Sequence, residues 1–125
     1  LVPLKYRPLN TLDLSFTKVR DITPLKSMPL VKLDLRGTEI TEINTLKGMP
    51  LQTLLLDKCE GVKDFSALSE LKSLEYLTVP ASAKNLSFLR PFTNLKRIAI
   101  ALPETGWDDA TTPEAFWKAY DERNP

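Results

Sequence analysis

The feature that most constrains the fold is a repeat within the sequence. The pattern Leu-x-x-Leu-x-Leu starts at five places, with Val or Ile standing for some leucines in the last two copies; the starts are Leu9, Leu30, Leu51, Leu74 and Leu95. These starts are 21, 21, 23 and 21 residues apart, and leucine supplies 22 of the 125 residues. A fixed period of this length predicts stacked units that each bury an apolar edge against their neighbours.

Two periodicities alternate inside each unit. Residues 11–15 and 32–36 alternate polar and apolar side chains, which is typical of a half-buried strand. Further on, Ile22, Leu25 and Met28 recur at every third position, which favours a short 3₁₀ or α turn. Side chains that can cap a helix stand ahead of the turns, at Thr23, Asn44, Ser66 and Ser87. The predicted fold is therefore α/β: a curved solenoid with a concave parallel β-sheet and short 3₁₀ or α turns on its convex side.

The two ends of the chain differ in sequence: the N-terminal end continues the repeat, whereas the C-terminal end departs from it. Residues 1–8 align with the end of a repeat, so the repeat array is expected to span 1–102 and to begin in mid-repeat. This interpretation makes the chain the C-terminal part of a longer protein. It also leaves an uncapped strand edge that could associate end to end with another molecule.

Residues 103–125 are expected to form a C-terminal cap. They carry six acidic and two basic side chains, and Thr112-Pro113-Glu114 is typical of a helix start. A helix over about 113–123 would place Phe116, Ala119 and Tyr120 on one face. We expect that face to cover the last repeat, with Trp107 packed beside it; the alternative is an aromatic docking surface.

The repeat resembles a known family. Leu30-Val-Lys-Leu33-Asp-Leu35-Arg-Gly-Thr38-Glu-Ile40 resembles a leucine-rich repeat, and the short period together with Asp21-Ile22-Thr23-Pro24-Leu25 is most similar to bacterial internalin-like repeats. The Pro-Leu-Lys-Ser-Met-Pro and Leu-Lys-Gly-Met-Pro phrases and the Phe116-Trp117-Lys118 ending resemble repeat regions attached to bacterial eukaryotic-like serine/threonine kinases. The resemblance implies a solenoid that binds partners on its concave face.

Composition excludes several classes of function. The chain has no His and one Cys, so it lacks imidazole bases, His or multi-Cys metal sites and an internal disulfide. Its net charge is only +1, which gives no global reason to bind nucleic acid. It contains neither a secretory signal nor an apolar run near the roughly 18 residues of a membrane span. We expect no catalysis, cofactor, metal, nucleic-acid partner or membrane insertion, and the compartment stays open.

Three features that could carry chemistry have simpler interpretations. Cys59 stands eight residues after its repeat's first Leu, where Thr17, Thr38 and Ser82 stand in other repeats, and is expected to belong to an inward-pointing structural ladder. Asp64-Phe65-Ser66 resembles a kinase metal-binding motif without its glycine, and Phe65 already has a core position. The acid pairs Asp108/Asp109 and Asp13/Asp34 are interpreted as solvated charges.

The concave face is the candidate site. Its outward strand positions place apolar or amphipathic side chains at Leu55 and Tyr76 inside a mixed-charge rim, as protein-binding hot spots often do. The candidate residues are Lys32, Asp34, Arg36, Leu55, Asp57, Tyr76 and Arg97. The simpler alternative is that Tyr76 and Leu55 only pair across strands.

The sequence therefore predicts a non-catalytic module that binds a protein or peptide on its concave face. One alternative is a regulatory or sensory C-terminal segment of a larger enzyme, such as a bacterial serine/threonine kinase. A purely structural spacer is the other.

Overall fold

A computed structural model describes residues 10–26, 28–92, 94–100 and 112–123. Five parallel strands form one sheet in chain order: β1 (Thr11–Asp13), β2 (Lys32–Asp34), β3 (Thr53–Leu55), β4 (Tyr76–Thr78) and β5 (Arg97–Ala99). The sheet keeps the register of the sequence repeat, because the first residue of each strand pairs with the first residue of the next.

A 3₁₀ turn lies between each pair of strands, and the four turns are Thr23–Leu25, Asn44–Leu46, Ser66–Glu70 and Ser87–Leu89. The middle residues of β2 to β5, Leu33, Leu54, Leu77 and Ile98, are completely buried in one continuous core. The predicted fold, an α/β leucine-rich repeat solenoid with a concave parallel sheet and short convex turns, is confirmed. No helix in the described ranges is long and apolar enough to cross a membrane.

The turns are capped by a different side chain from the one we predicted. None of the first three turns has a side-chain cap from Thr23, Asn44 or Ser66. Instead, the backbone N–H of each of these residues donates to an acid two positions earlier; the acids are Asp21 (2.9 Å), Glu42 (2.6 Å) and Asp64 (2.9 Å). Each of these hydrogen bonds satisfies a free backbone donor at the start of the 3₁₀ segment, and at Asp21 and Asp64 it forms an Asx turn.

These hydrogen bonds predict a pH-dependent stability. The N–H of Ser66 donating to Asp64 holds the pKa of that carboxyl below its ordinary value of 3.8. A lowered folded-state pKa contributes stability above the unfolded-state value and loses it as pH falls through the folded-state value. We expect Asp64→Ala to lower the urea midpoint at neutral pH and to approach the wild type well below pH 3.8. The control is Glu70→Ala, which removes an exposed acid in the same repeat. If the urea midpoint falls equally in both variants, or falls by the same amount at every pH, the hydrogen bond to Asp64 does not stabilise the turn.

The third repeat is two residues longer than its neighbours; one extra residue lies in a turn at Glu60 and Gly61, and the other lies between Leu71 and Leu74. A Cβ built on Gly61 would lie 2.8 Å from the carbonyl oxygen of Ile40 in the preceding repeat. Glycine is therefore the residue that lets the longer turn lie against its neighbour.

The C-terminal helix α1 (Pro113–Arg123) is present over the predicted residues. Its start is capped by Thr112, whose Oγ1 accepts the N–H of Ala115 at 3.3 Å. Phe116, Trp117 and Tyr120 are buried and join the core of the repeats, and the Tyr120 hydroxyl accepts the N–H of Leu86 at 3.1 Å. The helix therefore closes the end of the core beside β5; the position predicted for Trp107 lies outside the described residues.

Candidate functional site

The register of the sheet arranges the concave side chains in two rows. The amino-end row consists of the first residue of every strand: Thr11, Lys32, Thr53, Tyr76 and Arg97. The carboxyl-end row consists of the third residue of every strand: Asp13, Asp34, Leu55, Thr78 and Ala99. Because side chains alternate along a strand, these two rows share the concave side while the residues between them enter the core.

The amino-end row borders a concavity of about 500 Å³. Its walls are Lys32, Thr53, Tyr76 and Arg97 from four successive strands, together with Lys96. Lys32 and Lys96 are exposed, whereas the other three side chains are half-buried. This part of the concave face is open to a partner.

The concavity carries an excess of positive charge. Lys96 forms an ion pair with Glu75 at 3.2 Å, and Arg97 donates from Nη1 to the carbonyl oxygen of Lys96 at 2.8 Å. Within the part of the chain that the structure describes, Lys32 and Arg97 form no ion pair with a carboxylate. Three cations and one acid therefore line or border the concavity. Two of the cations form no direct ion pair among those residues, and Asp13 acts on Lys32 only at longer range.

The acids of the carboxyl-end side are engaged within the protein. Asp34 is only 6% exposed and receives hydrogen bonds from Arg36, with Nε 3.0 Å from Oδ1 and Nη2 2.8 Å from Oδ2. These bonds raise the pKa of Arg36 above its ordinary value. The forked guanidinium geometry makes this a strong pair.

The second buried acid is Asp57, which is 4% exposed. Its Oδ1 accepts a hydrogen bond from the hydroxyl of Thr78 at 2.6 Å, and the same hydroxyl accepts the backbone N–H of Asp57 at 3.2 Å. Thr78 itself is fully buried. This cluster holds the end of β4 against the loop after β3, and it offers nothing to a partner.

The expectation that Leu55 lies exposed on the concave face is wrong, because Leu55 is only 4% exposed. Its cross-strand neighbours Asp34 and Thr78 flank it in the register, and both are themselves buried. Leu55 is therefore packed between its cross-strand neighbours and presents no exposed surface to a partner.

The seven predicted site residues thus separate into two groups. Lys32, Tyr76 and Arg97 line the open concavity, whereas Asp34, Leu55 and Asp57 are buried and Arg36 is bound to Asp34. Thr53 and Lys96 are lining residues that the sequence did not single out. The alternation along the strand predicts that Thr53 points outward, although it was not among the candidates. Lys96 precedes its strand and does not follow that alternation.

Cys59 has the structural role that we expected of it. It is fully buried, its Sγ donates to the carbonyl oxygen of Leu35 at 2.8 Å, and it contacts Thr38 Oγ1 at 3.6 Å. Burial raises the pKa of the thiol, which opposes formation of the nucleophilic thiolate. Ser82 does not continue this ladder: it is exposed and donates to Glu60 at 2.6 Å, while Ala83 is buried.

The other features considered for chemistry also have structural settings. Phe65 is buried in the core, and Asp13 accepts two hydrogen bonds from Ser15, which lower the pKa of its carboxyl. Among the described residues, no three His, Cys, Asp or Glu side chains are grouped as a metal site would require. Asp108 and Asp109 lie outside those residues.

An exposed aromatic side chain that the sequence did not reveal lies near the opposite end of the strands. Phe16 is 62% exposed and has a φ of 58°, a backbone conformation that bulky residues rarely adopt. Arg36 and Lys58 each lie 5.7 Å from its ring centroid. The ring also covers Gly37, where a Cβ would lie 2.6 Å from a ring carbon.

Comparison with solved structures connects the fold to a named group of proteins. The chain is similar to internalin C2 from Listeria monocytogenes, with a TM-score of 0.65 and 27% identity over 73% of this chain. It also matches an internalin, InlF, from the same organism, with a TM-score of 0.49 and 20% identity over 72% of this chain. The aligned regions span 41% and 40% of those two chains.

No family model matches the sequence, and no curated protein matches it. The similarity to internalin C2 agrees with the bacterial leucine-rich repeat that the sequence resembles, whereas nothing in these comparisons concerns attachment to a kinase.

Proposed function

We propose that this protein is a non-catalytic interaction module that binds a protein or peptide on its concave face, along the amino-end row. The observation that carries the proposal is the concavity lined by Lys32, Thr53, Tyr76, Lys96 and Arg97. It combines an aromatic side chain, hydroxyls and cations, which are the groups from which protein-binding hot spots are built. The repeat solenoid, whose fold is similar to that of internalin C2, presents an extended concave surface, and this suits a protein or peptide partner.

The burial of the central part of the carboxyl-end side narrows the binding region. Asp34, Leu55 and Asp57 are each at most 6% exposed, so a partner that contacts the sheet meets the amino-end row first. Tyr76 stands near the middle of that row, between Thr53 and Arg97. A centrally placed aromatic side chain with charged neighbours is the position where truncation has its largest effect on affinity.

The chemistry of the chain also favours binding over catalysis. The sequence has no imidazole, and its one thiol is buried with a raised pKa. The second interpretation of the sequence, a regulatory or sensory segment of a larger enzyme, is compatible in part with such binding.

A capture experiment tests the proposed face. We expect Tyr76→Ala/Arg97→Ala to lower the affinity for a captured partner at least about tenfold, because both side chains line the concavity. The measurement is recovery from a source-cell lysate, followed by titration of the identified partner against each variant.

The matched control is Lys26→Ala/Lys47→Ala, two exposed cations that follow convex 3₁₀ turns. Circular dichroism of all variants verifies the fold. A partner that binds the concave variant as tightly as the wild type, or that is lost only with the control, contradicts the proposal.

A further inference from the structure

We infer that the segment recognised at the amino-end row is acidic, with two carboxylates spaced to meet Lys32 and Arg97. This inference rests on the proposed function and specifies the chemistry of the partner. It starts from the distribution of charge on the concave face rather than from its shape.

The charge of the site is unbalanced in one direction. Lys96 forms an ion pair with Glu75, whereas Lys32 and Arg97 form no direct ion pair among the described residues. Asp13 interacts with Lys32 only at longer range. Of the nearby buried acids, Asp34 is paired with Arg36, and Asp57 accepts a hydrogen bond from Thr78 and forms no ion pair with Lys32 or Arg97. A bound anionic group would therefore complete interactions that the protein leaves open, whereas a basic segment would be repelled.

The positions of the two cations set a spacing. Lys32 begins β2 and Arg97 begins β5, so three strand-to-strand steps separate their backbones. At about 4.8 Å a step this is about 14 Å, which an extended peptide crosses in about four residues. Because lysine and arginine side chains are long, acids three to five positions apart in the ligand can reach both cations.

The residues between the cations suit the middle of such a peptide. Thr53 and Tyr76 begin β3 and β4 and line the same concavity. Hydroxyl groups can bond to the peptide backbone, and the tyrosine ring can pack against an apolar side chain. The expected ligand is therefore an extended segment with two acidic residues that flank a short, partly apolar middle.

Two cations without a direct ion pair fit a short acidic segment better than a nucleic acid. Binding along a nucleic-acid backbone relies on many phosphate contacts, and the chain as a whole has a net charge of only +1. An acidic peptide needs only two carboxylates placed to meet Lys32 and Arg97.

A random peptide library tests this inference directly. Phage-displayed dodecapeptides are selected on the immobilised protein, and the most enriched sequence is synthesised and titrated by fluorescence anisotropy. We expect the enriched peptides to carry Asp or Glu pairs three to five positions apart. Lys32→Glu/Arg97→Glu is expected to weaken binding of the synthetic peptide at least about tenfold, and replacing its acids with their amides has the same effect.

The control variant Lys26→Glu/Lys47→Glu makes the same change of charge at exposed cations outside the concavity and should leave peptide affinity unchanged. If both charge-reversed variants lose the peptide equally, the attraction is not local and the inference is overturned. If enriched peptides lack acids but need Tyr76, the acidic specificity is overturned and the concave site stands. If no peptide is selected, the inference fails, and the capture experiment alone decides the proposed function. Tighter binding of a single-stranded oligonucleotide, lost in Lys32→Glu/Arg97→Glu, overturns it in favour of nucleic acid.

Discussion

Replacing Thr78 with valine is expected to lower the free energy of unfolding by about 2–4 kcal/mol, because it leaves a buried carboxylate short of a donor. The Thr78 hydroxyl donates to Asp57 Oδ1 at 2.6 Å, and it accepts the N–H groups of Leu56 at 3.0 Å and Asp57 at 3.2 Å. Valine keeps the shape of the side chain but removes all three interactions. Urea titration followed by far-ultraviolet circular dichroism measures the change.

Thr53→Val is the matched control, since Thr53 lies on the neighbouring strand but faces the open concavity. We expect it to change stability by less than about 0.5 kcal/mol. The double variant Asp57→Val/Thr78→Val removes the buried charge together with its donor. It should be less destabilised than the sum of the two single variants. An effect of Thr78→Val no larger than that of Thr53→Val would show that the cluster does not stabilise the fold.

This cluster illustrates what the sequence could and could not predict. The leucine period predicts the five strands and their register, because each repeat must bury the same edge against the next. The alternation within a strand also predicts correctly that residues such as Asp34 and Leu55 lie on the concave side. It does not predict their burial, since exposure depends on how closely the side chains of adjacent strands flank each position. Leu55 is buried for this reason, whereas Tyr76 and Lys32 in the amino-end row remain accessible to solvent.

The caps of the 3₁₀ turns show a signal that was present but assigned to the wrong residue. Asp21-x-Thr23, Glu42-x-Asn44 and Asp64-x-Ser66 share an acid two positions before the turn, and that acid accepts the N–H. In the fourth repeat Asn85 stands at this place, with a φ of 60°, and the N–H of the next residue, Leu86, donates to Tyr120 of the C-terminal helix. A contact between residues 34 positions apart cannot be inferred from local spacing.

The positive φ of Phe16 is another feature beyond sequence reasoning. Phe16, Gly37 and Lys58 occupy the same place in three successive repeats and have φ values of 58°, 67° and 67°. Glycine accepts this conformation readily, but the phenylalanine and lysine adopt it because the turn geometry repeats. The repeat therefore imposes the backbone, and Phe16 and Lys58 are exposed as a result.

The largest loss of stability is expected from Leu54→Ala, at about 3–5 kcal/mol. Leu54 is completely buried in the middle strand, with Leu33 and Leu77 paired on its two sides. Truncation leaves a cavity that the flanking strands can fill only by moving, and those strands hold the neighbouring repeats in place.

Leu12 occupies the equivalent position of β1 but is only half-buried, so Leu12→Ala should lower the free energy of unfolding by about 1–2 kcal/mol. Urea titration of both variants gives the comparison. In a solenoid, stability is the sum of each repeat and its contacts with neighbours, so the same substitution must cost more where two complete neighbours pack against it. Equal losses at the two positions would contradict this packing, because a repeat sequence would then set stability without regard to its place in the array.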